Sequence, residues 1–201
     1  MTSPSLKSFA LVAFPLVLLA AALAPAQEMH HDGVSTSPYQ APASITPSIG
    51  QSELEQVQTL YGTWDAQTKL GVLTDVFMPF AFNTMVLGEE LLNGKQITSS
   101  IFYVVNGELR VDHYCDLLNQ PRYTAVPAID PAMLDFEFRS ADNIDTHPAH
   151  FHNTKWKLVD SDHMIQDWFI LGGQKPVTQV HMEFVKRAEG APAPAPTAML
   201  K

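Results

Sequence analysis

The spacing of apolar residues along the chain changes at Gly62. Before it, Leu54, Val57, Leu60 and Tyr61 fall on one face of a helix. Ser52 and Glu55 have the spacing of a capping box, and Gly62 stands as the stop. After it, the period is two. Strands are predicted at Thr63–Lys69, Thr74–Phe82, Asn83–Leu91, Ile97–Val105 and Glu108–Cys115, then at Arg122–Val126, Met133–Arg139, His150–Val159, His163–Leu171 and Pro176–Lys186. Pro79 leaves the boundary between the second and third open. Asn106-Gly107, between two alternating segments, is a strong hairpin signal, and Asp160-Ser161-Asp162 and Gly172-Gly173 supply later turns.

Short antiparallel strands joined by tight turns close into an up-and-down barrel or pack as a sandwich. Closure removes exposed edges, and a single leading helix suits a barrel plugged at one end. The expected fold is therefore all-β, an antiparallel up-and-down β-barrel of 8–10 strands with a short N-terminal helix.

The regions flanking this pattern read differently. Lys7 followed by the apolar stretch Phe9–Leu23 and by Ala24-Pro25-Ala26 has the form of a signal peptide over residues 1–26, cleaved before Gln27. The competing reading, an uncleaved anchor, needs roughly 20 apolar residues, and Pro15 interrupts this run. Residues 27–50 are rich in Pro, Ser, Ala and Gln and read as a disordered linker, and residues 188–201 as a Pro/Ala tail. A single domain at 51–187 remains. The protein is expected to be exported, to the periplasm or beyond, with no stable membrane insertion after cleavage.

Cys115 is the lone cysteine, so no internal disulfide forms and the core alone must hold the fold. The net charge of −9 at pH 7 argues against nucleic acid and anionic membrane surfaces as partners.

Gly62-Thr63-Trp64, opening the first strand after a short helix, resembles the GxW signature of the calycin superfamily, the lipocalins and fatty-acid-binding proteins. The resemblance implies a tryptophan packed at the closed end of a barrel, with a basic residue of the last strand, Lys186 or Arg187, lying across it. His113-Tyr114-Cys115 with Asn119-Gln120-Pro121-Arg122 is similar to the HYC…NQPR segment of uncharacterised exported bacterial lipocalin-like proteins. His150-Phe151-His152-Asn153 and Trp168 look like the HxH segment and downstream tryptophan of the same group. The match spans most of residues 53–187, and Leu70–Lys95 departs from it. It implies a fold and no activity.

Strand alternation places candidate chemistry. Leu109, Val111, His113 and Cys115 share the more apolar face and are expected inside, as are His150, His152, Thr154, Trp156 and Leu158. Val180, Met182 and Phe184 form the core face of the last strand, and in the strand before it either Asp167 or Gln166 and Trp168 turn inward. The expected interior is apolar with a few convergent polar groups, the general form of a small-ligand site.

Candidate ligand-binding residues are Tyr103, His113, Arg122, His150, His152 and Trp156. Arg122 can grip a ligand carboxylate bidentately, or lock its loop by pairing with Asp116 or Asp130. His150 and His152, at i and i+2 and roughly 7 Å apart on one face, suit Zn²⁺ with His113 as a third ligand. Buried neutral histidines bonded to neighbours fit the same residues. One interior histidine could also hold haem, although no C-x-x-C-H motif is present. Cys115 and His113 point in parallel and do not make a catalytic pair by themselves. Two functions follow. One is an exported barrel binding an apolar or amphipathic small molecule, with catalysis not indicated. The other is a metal- or haem-dependent protein built on interior histidines.

Overall fold

The computed structural model describes residues 48–172 and 175–195, with the side chains of 175–178 outside the description. The segments expected to be a signal peptide and most of a linker lie outside the described residues. The described residues form one helix, α1 (Ile49–Gln58), and ten strands: β1 (Gly62–Thr68), β2 (Gly71–Phe80), β3 (Met85–Leu92), β4 (Lys95–Val105), β5 (Glu108–Tyr114), β6 (Gln120–Val126), β7 (Met133–Asp142), β8 (Ala149–Leu158), β9 (His163–Gly172) and β10 (Lys175–Lys186). Every ladder is antiparallel and joins chain neighbours, except that β1 also pairs with β10, and so the sheet closes into a barrel. All ten strands predicted from the alternation are present, and the sandwich alternative is excluded by closure.

The helix starts earlier than the capping-box reading placed it. Ser48 is the N-cap and its Oγ accepts from the Gln51 amide at 3.2 Å. Gly50 explains the shift: its amide donates to the Gly107 carbonyl at 3.0 Å, seating the first turn on the β4–β5 hairpin. The helix ends at Thr59, and Gly62 instead opens β1 at φ 124°. Leu54, Val57 and Leu60 then face the barrel and plug one end.

Tight turns at both ends are of the kind a right-twisted hairpin needs. Asn93 and Gly94 have φ of 51° and 78°, and Asn106 and Gly107, at the helix end, have 53° and 82°. Both Asn-Gly pairs carry positive φ at consecutive positions, where asparagine and glycine are least strained.

The core is aromatic. Trp156 is its centre, with Phe77, Phe102 and Phe136 edge-on to it at 5.8, 5.5 and 5.5 Å between centroids. Such geometry sets the positive rim of one ring against the negative face of another. Trp64 is buried below the cluster, donates its indole N–H to the Leu60 carbonyl at 2.7 Å, and lies 5.1 Å beneath the Lys186 ammonium. Lys186, and not Arg187, thus covers the tryptophan. Arg187 grips Asp65 on the outer face and donates its amide to the Thr63 carbonyl. Beyond it, residues 188–195 have no regular structure, yet the Ala195 carbonyl accepts from Gln67 Nε2 at 3.3 Å, so part of the expected tail lies along the barrel.

The Gly50 contact makes a prediction. A Cβ at Gly50 would stand 2.5–2.7 Å from backbone atoms of Gly107, Glu108 and Leu109, which cannot move aside as a side chain would. Gly50→Ala is expected to cost about 1–3 kcal/mol by overpacking, read as a lowered urea midpoint with an unchanged slope.

Candidate functional site

The end of the barrel opposite α1 holds a cavity of about 680 Å³. Its walls are Leu73, Leu92, Ile97, Phe151, Val180 and Met182, with Trp168 and His113 deeper in. Beneath it lies a second cavity of about 20 Å³, lined by Asp75, Ser100, His113, Gln166 and the rings of Phe77, Phe102, Trp156 and Trp168. Glu90, His113 and Trp168 border both and form the partition between them. The upper space has the size of a small-molecule pocket, and the lower has room for one water-sized group.

The strands bring the polar side chains of this partition together. Asp75 and Glu90 are directly opposed on β2 and β3, both turned inward between Leu73 and Phe77 on one strand and Gly88 and Leu92 on the other. Gly88 leaves the space that the Phe77 and Phe102 rings fill, since a Cβ there would meet both at 3.3 Å. On β9, Trp168 Nε1 donates to Gln166 Oε1 at 2.8 Å and Gln166 Nε2 donates to Asp75 Oδ2 at 2.8 Å. That chain uses one Asp75 oxygen. Oδ1 is buried with no hydrogen-bond partner. His113 comes from β5, its Nδ1 2.8 Å from Ser100 Oγ and its Nε2 buried without a partner. The ring lies against Trp168, Phe151 and Tyr123, at 5.5, 6.0 and 6.3 Å.

Low polarity sets the charge state of these groups. Burial raises the Asp75 carboxyl from the usual aspartate range to about 7, against the hydrogen bond from Gln166. Burial, and then the nearby Asp75 and Asp116 carboxylates, hold Glu90 well above the usual range. Burial depresses His113 to about 4. At neutral pH the imidazole is therefore uncharged and Asp75 keeps its proton in part, with Glu90 shifted in the same direction. The arrangement offers a neutral nitrogen and a carboxyl oxygen to one small space.

The residues predicted from sequence divide. His113 is interior, as expected, and Trp156 is a core residue bordering the lower cavity. Tyr103 and Arg122 are not inside. Tyr103 OH donates to Asp112 at 3.3 Å, and Arg122 pairs with Asp142 through Nη1 and Nη2 at 3.1 and 2.5 Å. Both share the outer face with Asp112, because Val111 and His113 beside it turn inward. Arg122 does lock a chain segment, but its partners are Asp142 and, at 3.8 Å, Asp112, in place of Asp116 or Asp130.

His150 and His152 leave the cavity for a definite reason. Phe151 opposes Ile170 and Asn153 opposes Phe169, so His152 is an extra residue with no ladder partner. This bulge reverses the alternation, and Phe151 takes the interior place beside His113 and Trp168. The two histidines fill the gap where β7 and β8 part beyond Phe136 and Thr154. They pack on the Phe138 ring, each at 4.8 Å. His150 Nδ1 donates to the Pro148 carbonyl at 2.8 Å, which leaves its Nε2 to accept from His152 Nδ1 at 3.0 Å. Among the described residues no group of three His, Cys, Asp or Glu side chains is arranged to hold a metal ion, and the His113–His150–His152 zinc centre is not formed. Cys115 lies just past the end of β5, and burial pushes its thiol up to about 12, so it carries no nucleophilic thiolate.

Asp75, Glu90 and Ser100 were not singled out in the sequence, and Gln166 stood there only in one of two alternative inward sets. An acidic residue between Leu73 and Phe77 at period two was the available signal for Asp75.

The site predicts a pH dependence. The folded Asp75 carboxyl holds its proton up to about 7, whereas the unfolded one loses it near 4. Between these values the native state binds the additional proton, so this group makes stability fall as pH rises and adds no further slope above 7. His113 acts oppositely between about 4 and 6.5, since it is the unfolded state that is protonated there. Asp75→Asn removes the first contribution and keeps the second. The unfolding free energy of the variant, less that of the unaltered protein, is expected to grow from pH 4 to pH 7 in a series of urea titrations.

No protein-family model matches the chain, and no curated protein matches it in sequence. A solved structure, the crystal structure of Rv2717c from M. tuberculosis, is similar at 12% identity with a TM-score of 0.47, over 67% of this chain and 96% of that chain. That degree of similarity says nothing of ligand or activity.

Proposed function

We propose that the domain is an exported small-molecule-binding barrel whose ligand places an apolar body in the mouth cavity and a polar group against the partition beneath it. The observation that carries this reading is the pairing of a roughly 680 Å³ apolar space with buried, unpartnered His113 Nε2 and Asp75 Oδ1 near its base. Buried polar atoms without partners are uncommon in folded proteins and are expected where a ligand or ordered water completes them. Export rests on the Lys7, Phe9–Leu23 and Ala24-Pro25-Ala26 pattern.

The site disfavours a fatty-acid carboxylate as that polar group. Arg122 is on the outer surface, and the basic side chains that border the cavity, Lys69 and His181, are exposed at its rim with Asp116 among them. The interior itself offers carboxyls.

A second reading has one observation in its favour. His113 has a free Nε2 and an Nδ1 held by Ser100, the support expected of an imidazole that ligates haem iron. A shift of the haemin Soret band on titration that is lost in His113→Gln would establish it, and an unshifted haemin spectrum would remove it.

Ile97→Trp is expected to narrow the mouth cavity from β4. The purified protein should enhance the fluorescence of Nile red, a neutral apolar probe, and the variant should do so less, with its thermal transition retained. Equal enhancement in both would place probe binding elsewhere and overturn the reading.

A further inference from the structure

The lower cavity has a composition that selects a ligand. Its room, about 20 Å³, suits one group the size of a water. Three polar groups border it with capacity unused. Asp75 Oδ1 and His113 Nε2 are both more than nine-tenths buried and without partners, and no hydrogen bond engages the Glu90 carboxyl from the cavity side. An ionised carboxyl accepts hydrogen bonds and does not donate, and one that keeps its proton still presents an acceptor oxygen. When His113 Nδ1 donates to Ser100 Oγ, Nε2 presents a lone pair as well. The remaining wall consists of the Phe77, Phe102, Trp156 and Trp168 rings, whose faces attract cations. Acceptors and electron-rich aromatic rings around a water-sized space form a complement to a compact donor with positive charge.

We infer that the lower cavity receives a protonated primary amine, the head of an amphipathic amine whose apolar chain lies in the mouth cavity. The inference rests on the binding function proposed above and names its ligand class. An ammonium has the size of a water and three N–H donors, to be shared among Asp75 Oδ1, Glu90 and His113 Nε2. Its charge replaces a proton that the two facing carboxyls otherwise retain, so one carboxyl becomes a desolvated carboxylate with a counter-ion in contact. A carboxylate head would instead meet two carboxyls with no cation beside them, and a hydroxyl would supply a single donor.

Isothermal titration of the purified protein at pH 7 with octylamine, 1-octanol and octanoate holds the chain length fixed and varies the head alone. Octylamine is expected to bind about ten-fold or more tightly than either of the others, a margin in keeping with a charge-assisted contact. Asp75→Asn and Glu90→Gln are each expected to bring octylamine down to the affinity of octanol. Equal or tighter binding of octanol or octanoate to the unaltered protein overturns the inference. So does an octylamine preference that survives both substitutions, and circular dichroism establishes that each variant is folded. If a variant fails to fold, the ranking of the three heads on the unaltered protein decides. Nile red binding with no preference for the amine removes the ligand class and leaves the binding function standing, whereas absence of binding by Nile red and all three amphiphiles removes both.

Discussion

Closure of the sheet between β1 and β10 is the interaction on which the remainder of the structure depends. This seam is short: Trp64 opposes Lys186 and Asp65 opposes Val185, while the β1–β2 ladder runs the length of β1. Side chains make up the difference on both surfaces. Lys186 lies over Trp64, and Arg187 holds Asp65 and approaches Thr74. A cation over an aromatic face and a half-buried guanidinium–carboxylate pair both gain from exclusion of water. The helix stabilises the same end, since Leu60 supplies the carbonyl that Trp64 needs.

A closed barrel separates inward from outward side chains, and polar residues turned inward lose water. Trp168, Gln166 and Asp75 meet this constraint with a chain of hydrogen bonds running across the barrel from β9 to β2. Asp75 Oδ1 and His113 Nε2 do not meet it. Shape accounts for the difference. The aromatic cluster around Trp156 fills the half of the barrel next to the helix, and the walls above it are aliphatic and too far apart to touch. These two unmet polar atoms lie where filled core gives way to open cavity.

The architecture was legible because alternation and turn chemistry act locally. Ten alternating segments separated by Asn-Gly, Asp-Ser-Asp and Gly-Gly leave few arrangements, and a tryptophan after Gly62 marks the strand that begins the barrel. Side-chain direction was legible only where alternation runs unbroken. It placed His113 and the Val180–Met182–Phe184 face correctly. It misplaced His150 and His152, because an inserted residue in β8 is set by the partner strand and leaves no trace in β8's own pattern. Arg122 and Tyr103 went astray for a different reason: each is amphipathic, and its direction follows from Asp112 and Asp142 on neighbouring strands. Asp75 and Glu90 become a pair through the β2–β3 register, over a stretch where the placement of Pro79 left that register open.

The β1–β10 seam also has a consequence for synthesis of the chain. It joins the first strand to the last, with the remaining strands between them in order. Until β10 has been made, β1 has one bare edge, and the newest strand on the ribosome always has another. Every growing intermediate is thus an open sheet with two unpaired borders and an exposed apolar face, the form in which strands from different chains join most readily. The short closing ladder is the last to form as the strands appear in order, and it converts an open sheet with two bare borders into one with no edges.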